Sequence, residues 1–136
     1  MNEAPIPTVL VVAVALIDVD ERVLIAKRPQ GKKLAGLWEF PGGKVEPGEE
    51  PVAALVRELA EELDIAVSRE SLEPVSFAHD APVTMLLYRC RAWTGTPRPL
   101  AAEALRWDTP TLLATLPMPP VDVPLLHALA RFVSHG

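Results

Sequence analysis

The stretch from Gly43 to Ile65 constrains the fold most, because a glycine-rich turn leads directly into one amphipathic helix. We place this helix at Pro51 to Leu63, since proline suits a first helical turn, where its missing N–H would have no partner. At about 100° per residue, five aliphatic side chains fall on one arc and are predicted to face a core. They are Val52, Leu55, Val56, Leu59 and Leu63.

Three glutamates fall on a different arc of the same helix. Glu58, Glu61 and Glu62 are spaced by three, one and four residues. Like charges three and four residues apart repel each other on a helix. The helix by itself therefore allows two interpretations, a solvated acidic face or a carboxylate cluster that holds a cation.

The spacing of the charged residues favours the second interpretation. The stretch reads GKVEPGEEPVAALVRELAEELDI, in which five residues separate Gly43 from Glu49 and seven more precede the Arg-Glu pair. It resembles the Nudix box, G-x5-E-x7-R-E-U-x-E-E-x-G-U, where U is a bulky aliphatic residue. The preceding segment, Leu37 to Gly42 (LWEFPG), resembles the MutT-like branch of that family. Every charged position matches, and Asp64 replaces the last glycine.

The resemblance implies a magnesium site, with Mn²⁺ as a substitute. It implies Glu61 and Glu62 as metal ligands, Glu58 as a ligand or general base, and a backbone carbonyl of Gly42 or Gly43 as a further ligand. Mg²⁺ is a hard cation that prefers oxygen ligands, so this donor set suits it. Catalysis is expected to depend on Glu58 and Glu61, together with Arg57.

Other charged residues are expected to support this chemistry. Arg57 is predicted to orient the glutamates by ion pairing, and Glu49 can do the same. Arg28 and Lys33 are candidate phosphate contacts, since a guanidinium can grip phosphate with two donors and an ammonium acts as a point charge. For each of them an ordinary exposed cation is the alternative. Glu39 is a further candidate for substrate binding.

The base pocket should be apolar with a few polar groups. Asp122 is the candidate base reader, because PPVDVPLL resembles the segment in which MutT-like proteins place an Asn or Asp facing the base. A plain helix N-cap is the alternative for Asp122. Phe40 and Phe77 can line the pocket, although either can be simple core.

Two positions depart from the family pattern. MutT-like sequences often carry a glutamate in the loop before the strand that ends in Trp, but LAAEALRW has Ala101 there and Glu103 two residues later. Either Glu103 serves instead or the accessory carboxylate is absent. Asp64 is expected in left-handed geometry at the helix end, at a cost of about 1 kcal/mol relative to glycine, which we interpret as a local stability defect.

Length and charge limit the alternatives. The 136 residues predict one domain, and a net charge of −5 argues against binding a nucleic acid polymer. Residues 22–44 hold six basic groups and one acidic group, whereas residues 45–64 hold seven acidic groups and one basic group. A cationic segment beside an anionic helix suits a metal–polyphosphate substrate.

The cysteine content and the apolar runs predict a cytoplasmic location. A single cysteine, Cys90, excludes an internal disulfide, fits a reducing cytoplasm and is interpreted as a buried filler. The longest apolar run, Val9 to Ile17, is too short to span a bilayer, and MNEAPIP lacks a secretory signal. No membrane association is therefore expected, and we expect a monomer, with a dimer left open.

The remaining elements predict an α/β fold, a sandwich with a mixed β-sheet between helices, which is also what the resemblance implies. Thr8 to Val19 is predicted to be a central strand buried on both faces, paired as a hairpin with Arg22 to Arg28. Pro41-Gly42-Gly43 is predicted to turn. Further predicted strands are Trp38–Phe40, Ile65–Val67, Leu72–His79, Pro82–Trp93 and Ala104–Trp107, and further predicted helices are Thr109–Leu116 and Asp122–Val133.

The predicted function is Mg²⁺-dependent hydrolysis of nucleoside triphosphates to nucleoside monophosphate and pyrophosphate, in nucleotide-pool sanitation of the MutT type. Oxidised nucleotides such as 8-oxo-dGTP are the first candidate substrates and cytidine nucleotides the second. Two alternatives remain open: hydrolysis of a nucleotide sugar, dinucleoside polyphosphate or NADH, and a non-enzymatic nucleotide-sensing domain. The intact set of box carboxylates argues against the sensor.

Overall fold

The chain forms two β-sheets packed with helices, as seen in a computed structural model that describes residues 8–133. The strands are β1 (Val9–Leu16), β2 (Val23–Lys27), β3 (Trp38–Glu39), β4 (Gly42–Lys44), β5 (Glu73–Asp80), β6 (Val83–Cys90) and β7 (Ala104–Asp108). The helices are α1 (Pro51–Leu63), α2 (Pro110–Leu113) and α3 (Asp122–Leu129), with short 3₁₀ turns at Arg69–Ser71 and Ala130–Phe132. The first sheet has the order β4-β1-β6-β5 and the second β3-β2-β7.

Strand β1 lies at the centre of the first sheet and is buried on both faces, as predicted. It pairs in parallel with β6 and antiparallel with β4, so the sheet is mixed. Ala13 and Ala15 pack in one core with Leu125 and Leu129 of α3, while alternate residues of β1 pack in a second core with α1. The predicted α/β sandwich is therefore confirmed, and β1 carries a core on each side.

The predicted hairpin between the first two strands is wrong. A single bridge joins Ile17 to Val23, after which β2 pairs antiparallel with β3 and β7 in the second sheet. Both hydrogen-bonding edges of β1 are already occupied by β4 and β6. A strand has only two such edges, so β2 continues into another sheet.

The glycines Gly42 and Gly43 belong to a strand, not to the predicted turn. Gly42 pairs with Ala13 and Gly43 with Val12 across β4 and β1. A Cβ on Gly42 would lie 2.0 Å from the carbonyl oxygen of Val12. Glycine is required here because the two backbones approach too closely for any side chain.

Helix α1 begins at Pro51 and ends at Leu63, as predicted, and buries an apolar side. Leu55, Leu59 and Leu63 are fully buried with Ala54, while the predicted core residues Val52 and Val56 pack at its margin. Asp64 follows the helix in the left-handed conformation that was predicted, with φ 57° and ψ 40°.

The later elements follow the predictions with shifted bounds: β6 is shorter than predicted, whereas β5 and β7 each end one residue later. The strand predicted at Ile65–Val67 is only a bridge between Ala66 and Thr94. The last two helices end earlier than predicted, at Leu113 and Leu129. Cys90 is buried, as a filler would be. Within residues 8–133, no helix combines the length and apolar character that crossing a bilayer requires.

Candidate active site

Arg57 is the centre of an ion-pair network on the acidic side of α1. Its Nε and Nη2 donate to the two carboxylate oxygens of Glu49 at 2.8 and 2.9 Å. Its Nη1 donates to Glu58 at 3.0 Å and to Glu61 at 3.3 Å. One guanidinium thus holds three carboxylates in register, which is the contact pattern expected of an orienting residue.

Glu49 is the anchor of this network. The hydrogen bonds from Arg57, and then the backbone N–H of Glu46, lower the pKa of Glu49 to about 2. Glu49 is therefore ionised throughout the neutral range and fixes the position of Arg57. Glu49 precedes α1 in the sequence, and through Arg57 it sets the positions of the carboxylates within the helix.

Glu58 and Glu62 form a crowded pair of carboxylates beside β4. Burial is the main cause that raises the pKa of Glu62 to about 7, followed by the charges of Glu58 and Glu39 and a hydrogen-bonding contact with Glu58. A hydrogen bond from the Gly42 backbone opposes these effects. Two carboxylates in such contact repel each other unless a proton or a cation neutralises them.

The carboxylate of Glu58 packs directly on the backbone of Gly43. A Cβ at Gly43 would lie 2.4 Å from the Glu58 carboxyl carbon and 2.5–2.6 Å from its oxygens. The Glu58 side chain is only 13% exposed. The glycine strand and the acidic helix therefore meet at this carboxylate, which is the proximity that the sequence predicted.

The donor set fits a divalent cation in its chemistry. Glu58, Glu62 and the backbone of Gly42–Gly43 offer only oxygen ligands, which Mg²⁺ prefers. Arg57 forms an ion pair with Glu58, whereas Glu62 forms no ion pair with a described residue. Glu61 lies apart from this contact, because its side chain is 59% exposed and bonds Arg57. In the described part of the chain, no three His, Cys, Asp or Glu side chains already surround one point as metal ligands.

A small cavity adjoins the carboxylates and contains the predicted phosphate contact Arg28. Its lining includes Arg28, Glu39 and Glu62. Arg28 Nη1 donates to both oxygens of Glu39 at 3.1 Å, and its Nε donates to the carbonyl of Lys33 at 2.7 Å. Burial raises the pKa of Glu39, and the charge of Arg28 opposes the rise. Lys33 thus contacts the site through its backbone, and its side chain is exposed.

Ala101, rather than Glu103, lies beside the candidate metal ligands. Ala101 and Ala102 line the cavity beside Glu62. Glu103 instead places a carboxylate oxygen 3.5 Å from the Nζ of Lys27. The position expected for the accessory carboxylate is therefore occupied by alanine, and Glu103 is engaged elsewhere.

Asp122 is not the plain helix N-cap that was one alternative. It is the first residue of α3, follows the capping position of Val121, and is fully buried. Its Oδ2 accepts a hydrogen bond from the backbone N–H of Phe40 at 3.0 Å, and its Oδ1 has no hydrogen-bond partner among the described residues. Burial raises the pKa of Asp122 to about 7. A buried oxygen without a partner is costly, so this position calls for a functional explanation.

The structure does not bring Phe77 to the same wall as Phe40. Phe77 is 68% exposed on β5 and pairs with Leu86, which packs toward the core of α1. Phe40 is buried in the opposite core, with α3. Neighbouring residues of paired strands point to the same face of a sheet, so the two rings lie on different faces.

The sequence predicts a proline-rich loop at Gly95 to Ala102 but does not predict that residues 94–103 contact the end of α1. The backbone N–H groups of Arg98 and Leu100 donate to the carbonyls of Leu63 and Glu62 at 2.9 and 3.1 Å. The only available signal was the departure at Asp64, whose Oδ2 pairs with Arg98 at 3.2 Å.

Comparison with known proteins decides the family. The sequence matches the NUDIX domain over residues 7–129. The chain belongs to the Nudix family. Because that match spans the box and its carboxylates, the chain is a Nudix hydrolase, and it acts on small-molecule nucleotides.

Individual relatives of this Nudix hydrolase agree. The chain is 39% identical over 122 residues to the CTP pyrophosphohydrolase of Escherichia coli, covering 86% of this chain and 88% of that one. It is 40% identical over 114 residues to a putative 8-oxo-dGTP diphosphatase 2 of Mycobacterium tuberculosis, covering 80% and 79%. A MutT structure described for Aliivibrio salmonicida and Vibrio cholerae superposes with a TM-score of 0.81 at 29% identity, covering 92% and 98%. The MutT-like resemblance is thereby confirmed.

Proposed function

We propose that this Nudix hydrolase cleaves nucleoside triphosphates to nucleoside monophosphate and pyrophosphate with the help of Mg²⁺. The observation that carries the proposal is the convergence of two carboxylates on β4, where Glu58 packs on the Gly43 backbone and Glu62 bonds the Gly42 backbone, with Glu58 held by Arg57. Two relatives named as a CTP pyrophosphohydrolase and a putative 8-oxo-dGTP diphosphatase support the same reaction.

The residues would hold the metal and substrate as follows. Glu58, Glu62 and a glycine carbonyl of β4 would hold the cation, with Glu61 as the further carboxylate of the box. When bound, Mg²⁺ supplies positive charge for phosphate oxygens and lowers the pKa of a water molecule. Arg28 lies at the cavity next to Glu62, where its guanidinium can bind phosphate oxygens in place of Glu39.

The chemical step is a hydrolysis. A water oxygen bonds to an inner phosphorus, the bond from that phosphorus to the oxygen that bridges the α- and β-phosphorus atoms breaks, and nucleoside monophosphate and pyrophosphate are the products. The proton of the water passes to a carboxylate, for which Glu58 is the candidate because Arg57 and Gly43 fix its position. Arg57 acts on the reaction through the carboxylates that it orients.

Asp122 would read the base. Its Oδ1 lacks a partner among the described residues, and above its pKa of about 7 the ionised carboxylate accepts hydrogen bonds from base N–H groups. Cytosine offers its amino group and 8-oxoguanine offers ring and amino N–H groups, so CTP and 8-oxo-dGTP are the two substrates to compare. Uracil presents a carbonyl where cytosine presents the amino group, so UTP is the matched poor substrate.

The test is pyrophosphate release from CTP, 8-oxo-dGTP, dGTP and UTP, with Mg²⁺ and with excess chelator. We expect the wild-type protein to release pyrophosphate only with the metal and Glu58→Gln to lose at least about a hundredfold in kcat. Glu50→Gln is the matched control, because Glu50 lies beside the same helix but pairs with Arg69 on the surface. Equal rates for wild type and Glu58→Gln would contradict the catalytic assignment, and turnover of NADH or a nucleotide sugar alone would contradict the substrate class.

A further inference from the structure

The loop of residues 94–103, here called the strap, lies between β6 and β7 in the chain. It contacts the C-terminus of α1 at one end and the second sheet at the other. At one end, its N–H groups at Arg98 and Leu100 bond the carbonyls of Leu63 and Glu62. Carbonyls in the last turn of a helix have no partner within the helix. The strap therefore caps the helix that carries the candidate metal ligands.

The strap is also anchored at its other end. The N–H of Glu103 donates to the carbonyl of Lys27 at 2.9 Å, and the two side chains form an ion pair. Ala101 and Ala102 lie between the two anchored ends and line the cavity beside Glu62. The position of this wall is consequently set by the anchors on either side of it.

The replacement of the box glycine adds a side-chain anchor at the α1 end. Asp64 takes the left-handed conformation that glycine would take freely, and its Oδ2 lies 3.2 Å from Nη1 of Arg98. A Cβ on Gly95 would lie 3.1 Å from the carbonyl oxygen of Asp64, so the start of the strap also packs closely on this residue. Glycine at position 64 would relieve the backbone but would leave Arg98 without this partner.

We propose that Asp64 and Arg98 are positioning residues for substrate binding, because their ion pair holds the strap against α1 and so fixes the cavity wall at Ala101 and Ala102. The proposal rests on the proposed function, since the cavity is taken as the substrate site. Among the described residues, neither side chain bonds the carboxylate of Glu58 or Glu62, and the strap bonds Glu62 at its backbone carbonyl. We therefore expect loss of the ion pair to weaken substrate binding with kcat unchanged.

The expected effect is small, because both side chains are more than half exposed, at 57% and 64%. Exposed ion pairs have modest free energies, which correspond to about a two- to fivefold change in an equilibrium constant. We expect Arg98→Ala and Asp64→Asn each to raise KM about two- to fivefold with kcat unchanged. Asparagine is chosen because it tolerates left-handed geometry, so the backbone at position 64 is preserved.

The experiment combines kinetics with amide hydrogen exchange on the wild-type protein, the two single variants, the double variant and Arg22→Ala. Arg22 forms an exposed ion pair with Asp18 away from the cavity and is the matched control. The proposal expects the Leu100 amide to exchange faster in both single variants, KM to rise in both, no further rise in the double variant, and neither change in Arg22→Ala.

Each other result is informative. Unchanged exchange at Leu100 shows that the ion pair does not hold the strap, and faster exchange with unchanged KM shows that the strap does not position the substrate; either overturns the proposal. Additive KM effects in the double variant overturn it too, since the residues would then act separately. A wild-type protein without turnover contradicts the proposed function instead, and the affinity for a non-hydrolysable nucleotide then replaces KM as the readout.

Discussion

The substitution Asp122→Asn tests whether the buried carboxyl group of Asp122 lowers the free energy of unfolding when it ionises. Burial raises the pKa of Asp122 from an ordinary value of 3.8 to about 7, and the hydrogen bond from the Phe40 N–H opposes this rise. The negative charge of Glu39 adds to the rise, and the positive charge of Arg28 reduces it. Between these two pH values the folded protein binds a proton that the unfolded chain has released. Stability from this group is therefore fully present below pH 3.8 and is lost as the pH rises through about 7.

The size of the effect follows from the two pKa values. About 1.4 kcal/mol per pKa unit over the interval between them gives on the order of 4 kcal/mol as a ceiling. Asparagine has no proton to lose, and its side-chain carbonyl can still accept the hydrogen bond from Phe40. We therefore expect the wild type to lose up to this amount of unfolding free energy relative to Asp122→Asn between pH 4 and pH 8.

The assay is urea unfolding of both proteins across this pH range, with the slope and the midpoint of each transition compared. Leu126→Ala is the control, because Leu126 is a buried residue of the same helix that does not titrate. Its difference from wild type should be the same at every pH. A difference between wild type and Asp122→Asn that is also constant with pH would refute the reasoning, since Asp122 would then be ionised equally in both states.

Three further predictions concern the carboxylate cluster. Gly43→Ala should lower kcat by about a hundredfold, because the alanine Cβ would displace the Glu58 carboxylate. Thermal melting should show that this variant still folds. An unchanged kcat would contradict the contact between Gly43 and Glu58. Arg57→Lys should lower kcat/KM by about ten- to a hundredfold, because an ammonium cannot hold Glu49 with two parallel bonds and reach the other carboxylates as well. Steady-state kinetics measures this change. Full activity of the variant would show that a positive charge at position 57 suffices. Ala101→Glu should restore an accessory carboxylate and lower the Mg²⁺ concentration for half-maximal rate, measured by metal titration, whereas an unchanged or higher requirement would show that position 101 does not reach the metal.

The parts of the molecule that were predictable from sequence are those that local patterns determine. The bounds of α1 follow from Pro51, from the aliphatic period and from the left-handed residue Asp64. The burial of β1 on both faces follows from its unbroken apolar run. The proximity of Gly43 to Glu58 was predictable only through the spacing of the box, because the two residues belong to different elements.

The features that the sequence did not predict depend on strand pairing and on contacts between residues that are far apart in the chain. An apolar run predicts a strand but not its neighbours, and so the hairpin of β1 with β2 was wrong once β4 and β6 occupied both edges. Glycine has a low strand propensity, which favoured a turn at Gly42, yet the close backbone of Val12 requires glycine there. In each case a tertiary contact overrode a correct local preference.

Asp122 shows the same competition at the site itself. Local sequence favours an N-cap, because an aspartate precedes Pro124 at the start of an apolar helix. The side chain instead bonds the backbone of Phe40, 82 residues earlier in the chain, and so ties α3 to the link between β3 and β4. That link leads directly into Gly42 and Gly43, which contact the carboxylates of α1. The candidate base reader and the candidate metal ligands are therefore joined through four residues of backbone, and a base that bonds Asp122 is placed relative to the carboxylates by the same short segment.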